Sequence, residues 1–152
     1  MQLIDQWDLP FKLESEANKW SHWSIPRRLH QMQVKHLIVA RANSDKKIDL
    51  PITVEITRIH SRQLDYDNYV HACKYIRDKI AEMLIPGKAK GQADADKRIT
   101  WDYRQEKGKP SSVRIRFLRK LDHTDGMRFH IDSNKICHFE DGTSVDMKQF
   151  AA

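Results

Sequence analysis

Apolar and polar residues alternate most cleanly where Ile52, Val54 and Ile56 interleave with Thr53, Glu55 and Thr57. A period of two predicts a half-buried strand there. After Asp65-Tyr66-Asp67-Asn68 the period changes. Tyr69, Cys73, Ile76, Ile80 and Met83 recur at intervals of three and four, with Leu84 beside them. This is the apolar side of a helix running to about Leu84. Pro86-Gly87 ends it, and Lys88 to Gln92 form a polar, basic loop. Two alternating runs follow, one through Ile99, Trp101 and Tyr103 and one through Val113, Ile115 and Phe117. With Gln105 to Pro110 as the turn, they predict an antiparallel hairpin.

The first part of the chain is less regular. Leu9 to Glu14 reads as a short strand with Pro10 at its start, where a missing N–H is tolerated. Ser24 stands as an N-cap before Ile25-Pro26, and Pro26 to about Ala42 reads as a helix. Its periodicity is untidy, because Val34, Leu37, Ile38 and Val39 point several ways, and a strand at its end remains compatible with the pattern. The order strand, helix, strand, helix, strand, strand predicts a two-layer α+β domain with a mixed sheet and two main helices over residues 1–120. From Leu121 the chain changes character. Gly126 and Gly142 bracket pieces such as Met127 to Ile131, which suggest an appended hairpin within 121–152.

The length of 152 residues suits one domain with a real core. No stretch approaches the ~20 consecutive apolar residues of a membrane span, and Met1 to Asp5 lack a signal peptide's layout. The two cysteines, Cys73 and Cys137, have neither metal-type nor redox-type spacing. A cytoplasmic protein with no membrane partner is expected. The charge changes the picture further: 27 Lys+Arg against 21 Asp+Glu give a formal +6. A basic surface suits a polyanion, and nucleic acid is the commonest in a cell.

Asp65 and Asp67 are the most informative candidates. Two positions apart in an extended segment, their carboxylates can point the same way and would repel unless a cation or proton lies between them. Hard oxygen ligands of this kind suit Mg²⁺ or Mn²⁺. Taken alone, the pair fits capping at least as well, since Asp is a favoured N-cap. Asp67, His71, Lys74 and Asp78 form one stripe on the helix, which also reads as a solvated face with local ion pairs. Asp94 and Asp96 precede the Ile99 strand and by themselves read as turn residues. Arg98, Arg104, Arg114 and Arg116 are expected on the sheet face opposite Ile99, Trp101, Val113 and Ile115, as a basic patch fit for phosphates or a plain solvent face. His123 and His130 with Cys137-His138 fit solvated histidines better than zinc ligands.

Asp65-x-Asp67-Asn68, the amphipathic helix, the Gly-containing loop, Asp96 and two closing strands together resemble the RusA family of Holliday-junction resolvases. Upstream, Leu9-Pro10-Phe11 is similar to that family's first strand and Ala17-Asn18-Lys19-Trp20 to its early Asn-containing loop. The Pro26-to-Ala42 segment and Leu50 to His60 are similar to its first helix and central strand. The resemblance covers residues 9 to about 119. It implies a homodimeric, Mg²⁺-dependent endonuclease, Mn²⁺ substituting, encoded by a phage or prophage in a bacterial cell and cutting branched DNA at four-way junctions. Asp65 and Asp67 match the first two catalytic and metal-binding acids, and Asn68 the Asn after them. Asp96 matches the third acid, with Asp94 as its rival because Ala95 separates what the family carries as adjacent acids. The family's catalytic lysine falls at His71, and Lys74 lies one turn further on. DNA contacts are expected from Asn18, Lys19, Asn68, Lys88, Lys90, Arg98, Arg104, Arg114 and Arg116. His71 in the lysine position keeps open a second reading, a DNA-binding or host-protein-binding phage protein of the same fold with little or no catalysis.

Overall fold

The computed structural model describes residues 1–15, 24–89, 91–121, 129–139, 144–146 and 148. The chain divides into two compact units, Met1–Lys120 and Leu121–Ala152. The first is an α+β unit built on a four-stranded mixed sheet, and the order of its strands is set by one central element. That element, β2 (Ile52–His60), is buried on both faces from Ile52 through Arg58, not half-buried as its alternation predicts. A strand with no exposed side needs partners along both edges, or its backbone groups lose water and gain nothing in return.

Its partners are β3 (Ile99–Lys107), which runs parallel, and β4 (Ser112–Arg119), which runs antiparallel. β1 (Gln2–Leu9) pairs antiparallel with the far edge of β4, giving the order β1-β4-β2-β3. The expected hairpin between the last two strands is therefore not formed, because β2 lies between them. Two strand spacings are about 10 Å, within reach of the short connection at Gly108 to Ser111. Alternation assigns faces to a strand; it does not choose neighbours.

The first strand also differs from expectation. It ends at Leu9 rather than starting there, since Pro10 has no N–H to offer β4. The inward alternation nevertheless continues: Trp7, Leu9, Phe11 and Leu13 are all buried. α1 (Ser24–Asn43) explains its untidy pattern by burying little beyond Leu37 and Gln33, while Leu29, Ile38 and Val39 stay exposed.

Between β2 and β3 the chain crosses over through α2 (Tyr66–Ala72) and α3 (Lys74–Leu84). The expected single helix is thus two, divided at Cys73, whose backbone remains helical (φ −79°, ψ −7°). Tyr69, Cys73, Ile76 and Ile80 pack with Val54, Ile56, Ile115 and Phe117 as the sequence period requires. Full burial of each large aliphatic or aromatic side chain contributes about 1.5–3 kcal/mol. Trp7 meets Phe117 edge-on, with ring centroids 4.6 Å apart. Burial pushes the Cys73 thiol up to about 12, which leaves it inert at neutral pH.

In the second unit β5 (Phe129–Ile131), β6 (Ile136–Phe139) and β7 (Ser144–Asp146) form a three-stranded antiparallel sheet, one strand more than a hairpin. Asp132 closes its first turn by accepting hydrogen bonds from the N–H groups of Asn134 and Ile136. Among the described residues no helix is long and apolar enough to cross a membrane.

Candidate functional site

The β2–α2 connection is where the sequence places its first two acids, and a buried arginine holds it. Arg58 is only 3 % exposed. It donates to the carbonyls of Leu13 (2.7 Å) and Arg62 (2.5 Å) and to Gln105 Oε1 (3.4 Å). Gln105 then binds Leu64 twice, accepting from its N–H (2.9 Å) and donating to its carbonyl (2.8 Å). Leu64 precedes Asp65, so Arg58 and Gln105 position the start of α2 from two different strands. Neither residue stands out in the sequence; an arginine at an inward position of a buried strand is the one signal that could have found the first. Tyr69 anchors the helix by donating from its hydroxyl to the Ile56 carbonyl (2.5 Å).

Asp65 is the N-cap residue of α2 by backbone geometry (φ −58°, ψ 148°), yet its side chain makes no capping hydrogen bond. Asp67 sits in the first turn. Both are exposed, and among the described residues neither carboxylate has a hydrogen-bond or ion-pair partner. Asn68 is half-buried beside them, and His71 and Lys74 are exposed further along the same stripe. Two unengaged carboxylates on a fixed backbone form a donor set that fits Mg²⁺, which binds through one or two carboxylates and keeps waters for the rest of its sphere.

Asp96 is elsewhere. Its side chain, 9 % exposed, is gripped by Lys88 Nζ (2.7 Å) and by Arg98, whose Nε (3.1 Å), Nη2 (3.0 Å) and backbone N–H (3.0 Å) all donate to it. Hydrogen bonds from Arg98, then from Lys88, hold the carboxyl well below the usual carboxylate range. It lies beside the start of β2, where the Ile52 N–H donates to the Arg98 carbonyl. Asp65 lies at the opposite end, beside Gln105, and the run of β3 between the two spans about 20 Å. The three acids expected to share a metal are therefore not brought together in this chain. Among the described residues no three His, Cys, Asp or Glu side chains cluster as metal ligands do. Lys88 and Arg98, expected on DNA, are occupied by Asp96. A depressed native pKa stabilises the fold above the ordinary carboxyl pKa, and that contribution disappears as pH falls. Thermal melts should thus show the native protein losing stability steeply below about pH 4, and Asp96→Asn losing less over the same window.

The rival acid, Asp94, is a latch. Arg77 of α3 pairs with its carboxylate and also donates to the Tyr103 hydroxyl (3.1 Å). Burial opposes the charge of Arg77, but its bonds to Tyr103 and Asp94 outweigh that and keep it ionised. Trp101 Nε1 donates to the Asp94 carbonyl (3.1 Å). Burial, and next the charge of Asp94, raise Asp78 above the ordinary range. A helical rise of about 15 Å separates Asp67 from Arg77, which keeps this group apart from the first acids as well.

The sheet face away from the helices carries Arg104, Arg114 and Arg116, as the alternation predicts. Every one of them is paired. Glu55, 3 % exposed on β2, accepts from Arg104 (3.0 Å) and Arg116 (3.3 Å); Arg104 also bonds Asp102 (3.0 Å), and Arg114 bonds Asp8 (3.3 Å) and Glu106 (3.4 Å). The expected basic patch is instead a network of three arginines and four acids, because Asp8 of β1 and Glu55 of β2 join Asp102 and Glu106 of β3 on this face. Arg98 precedes β3, and its side chain is bonded to Asp96 rather than to these acids. Asn18, Lys19 and Lys90 lie outside the described residues. No family model, curated protein or solved structure matches this chain.

Proposed function

We propose that this protein is a metal-dependent endonuclease acting on branched DNA, with Asp65 and Asp67 as its metal-binding residues. One observation carries the reading: at the mouth of α2 neither carboxylate is spent on capping, although the residue types and positions suit a cap. Two unpartnered carboxylates at one helix mouth, one on the N-cap residue and one in the first turn, offer negative charge that a divalent cation would offset. When bound, Mg²⁺, or Mn²⁺ in its place, would supply Lewis-acid activation of water and neutralise charge on the scissile phosphate. Asp65 and Asp67 hold and orient that site. Arg58 and Gln105 fix the backbone that carries them, and Asn68 lies next to them to meet the substrate. His71 and Lys74, exposed on the same helical stripe, offer positive charge or a proton to the leaving oxygen. Two copies related by a twofold axis would present two such sites, one for each strand cut at a four-way junction.

The position of Asp96 favours one further reading, a DNA-binding protein of this fold without efficient chemistry. Its carboxylate is held by Lys88 and Arg98 at the far end of β3. A synthetic four-way junction and a linear duplex, each incubated with Mg²⁺ or with EDTA, separate the two. The endonuclease reading expects Mg²⁺-dependent nicks in the junction and few in the duplex. Junction binding without nicks in either condition would establish the binding protein, and absence of binding would remove both.

A further inference from the structure

A basic chain whose outer-face arginines, Arg104, Arg114 and Arg116, are all paired with acids must carry its free positive charge elsewhere. Arg62, Lys107 and Lys109 are exposed, and among the described residues none of their side chains has a partner. They are distant in sequence and belong to two connections, β2 to α2 and β3 to β4. The fold brings these connections together. His60 faces Lys107 in the parallel register, and the Gly108 N–H donates to the His60 carbonyl (3.2 Å). The Arg62 N–H donates to His60 Nδ1 (3.0 Å). Gly108 packs so close to Ile59 that a Cβ there would meet Cγ2 at 2.9 Å. Any larger residue would push the turn, and with it Lys107 and Lys109, away from β2. Gln105, two positions before Lys107, holds Leu64 and so sets Asp65 beside the same rim.

We propose that Arg62, Lys107 and Lys109 form a rim that binds the phosphodiester backbone of DNA and delivers it to Asp65 and Asp67, the delivery resting on the nuclease reading above. Charge complementarity selects the partner. A phosphodiester carries a negative charge at every linkage, so one strand can touch the free cations and still present a phosphate to the acid pair. Contacts of this kind read shape and backbone, not sequence. The two glutamates and aspartates nearest the sheet arginines already saturate that face, which leaves this end of the sheet as the electropositive one beside the acids.

The test is fluorescence anisotropy of a labelled four-way junction in EDTA, where no cutting occurs, as salt is raised. The triple variant Arg62→Gln, Lys107→Gln, Lys109→Gln is compared with Lys35→Gln, Lys46→Gln, Lys120→Gln, which removes equal charge at exposed sites elsewhere. The rim variant should bind about tenfold or more weakly, and its log–log salt slope should fall by about 2–3, while the control stays near the parent. Equal losses in both triples would show an effect of net charge alone and overturn the rim. Unchanged binding in the rim variant would overturn it directly. Polyglutamate bound through the same three residues by a protein that ignores DNA would assign an acidic protein partner and also overturn it. Failure of the nuclease reading looks different: the parent then binds through the rim in EDTA but leaves the junction uncut in Mg²⁺.

Discussion

Asp67→Asn should lower Mg²⁺-dependent junction cleavage about 100-fold or more, equivalent to about 2.7 kcal/mol of lost transition-state stabilisation. The amide keeps the size of the side chain and removes the anionic donor. Because Asp67 has no partner among the described residues, little structural support goes with it. The helix should lose only the favourable interaction of an acid with its first turn, about 0.3–1 kcal/mol. Junction affinity in EDTA should hold or tighten, since a negative charge beside the phosphates is gone. Cleavage rate, affinity and melting temperature measured on one preparation separate these effects. A normal cleavage rate with a small drop in melting temperature would make Asp67 a helix-start residue and nothing more.

Arg58→Met should be the most damaging single change to the fold near the site, at about 2–4 kcal/mol in urea unfolding. Methionine matches the apolar stem but leaves the carbonyls of Leu13 and Arg62 without the donors they now have inside the protein. Arg58→Lys should recover only part of the loss, because one ammonium cannot span acceptors contributed by three chain segments. The loss should also reach the chemistry. With Gln105 no longer braced, the segment from Arg62 to Asp65 loosens, and Mg²⁺ titration of cleavage should shift to higher concentrations even where the variant is fully folded. A variant as stable as the parent would show that Gln105 and the helix packing suffice to hold the connection.

The clearest sequence patterns became the elements they implied, and the reason is local. A period of two from Ile52 to Thr57 can bury itself only as a strand, and the spacing of Tyr69, Cys73, Ile76 and Ile80 only as a helix face. The side of the sheet taken by Arg104, Arg114 and Arg116 was legible for the same reason. So was the α+β class, since it follows from the kinds of element and their order. The end of β1 was legible in principle as well: Pro10 can stop a ladder or begin one, and the apolar residues upstream, Ile4 and Trp7, argue for stopping it.

Three features depended on residues far apart in the chain. The pairing of β2 with both β3 and β4 was one, because an alternating strand states which face is inward and says nothing about its neighbour. The charge of the arginine face was another, since Asp8 and Glu55 reach it from β1 and β2, strands distant in the chain from the arginines they meet. The third was the fate of the acids. The sequence by itself determined that Asp65 and Asp67 would stand at a helix mouth; it did not show that the helix starts at Tyr66, which places Asp67 in the first turn rather than in the extended segment expected. Whether their carboxylates would cap, pair or remain free was decided by tertiary structure, through the Arg58–Gln105–Leu64 chain that sets the backbone there. Tertiary structure also put Asp96 at the other end of β3, in the grip of Lys88 and Arg98, because a strand entered from a crossover starts at the end of the sheet opposite the helix that began it.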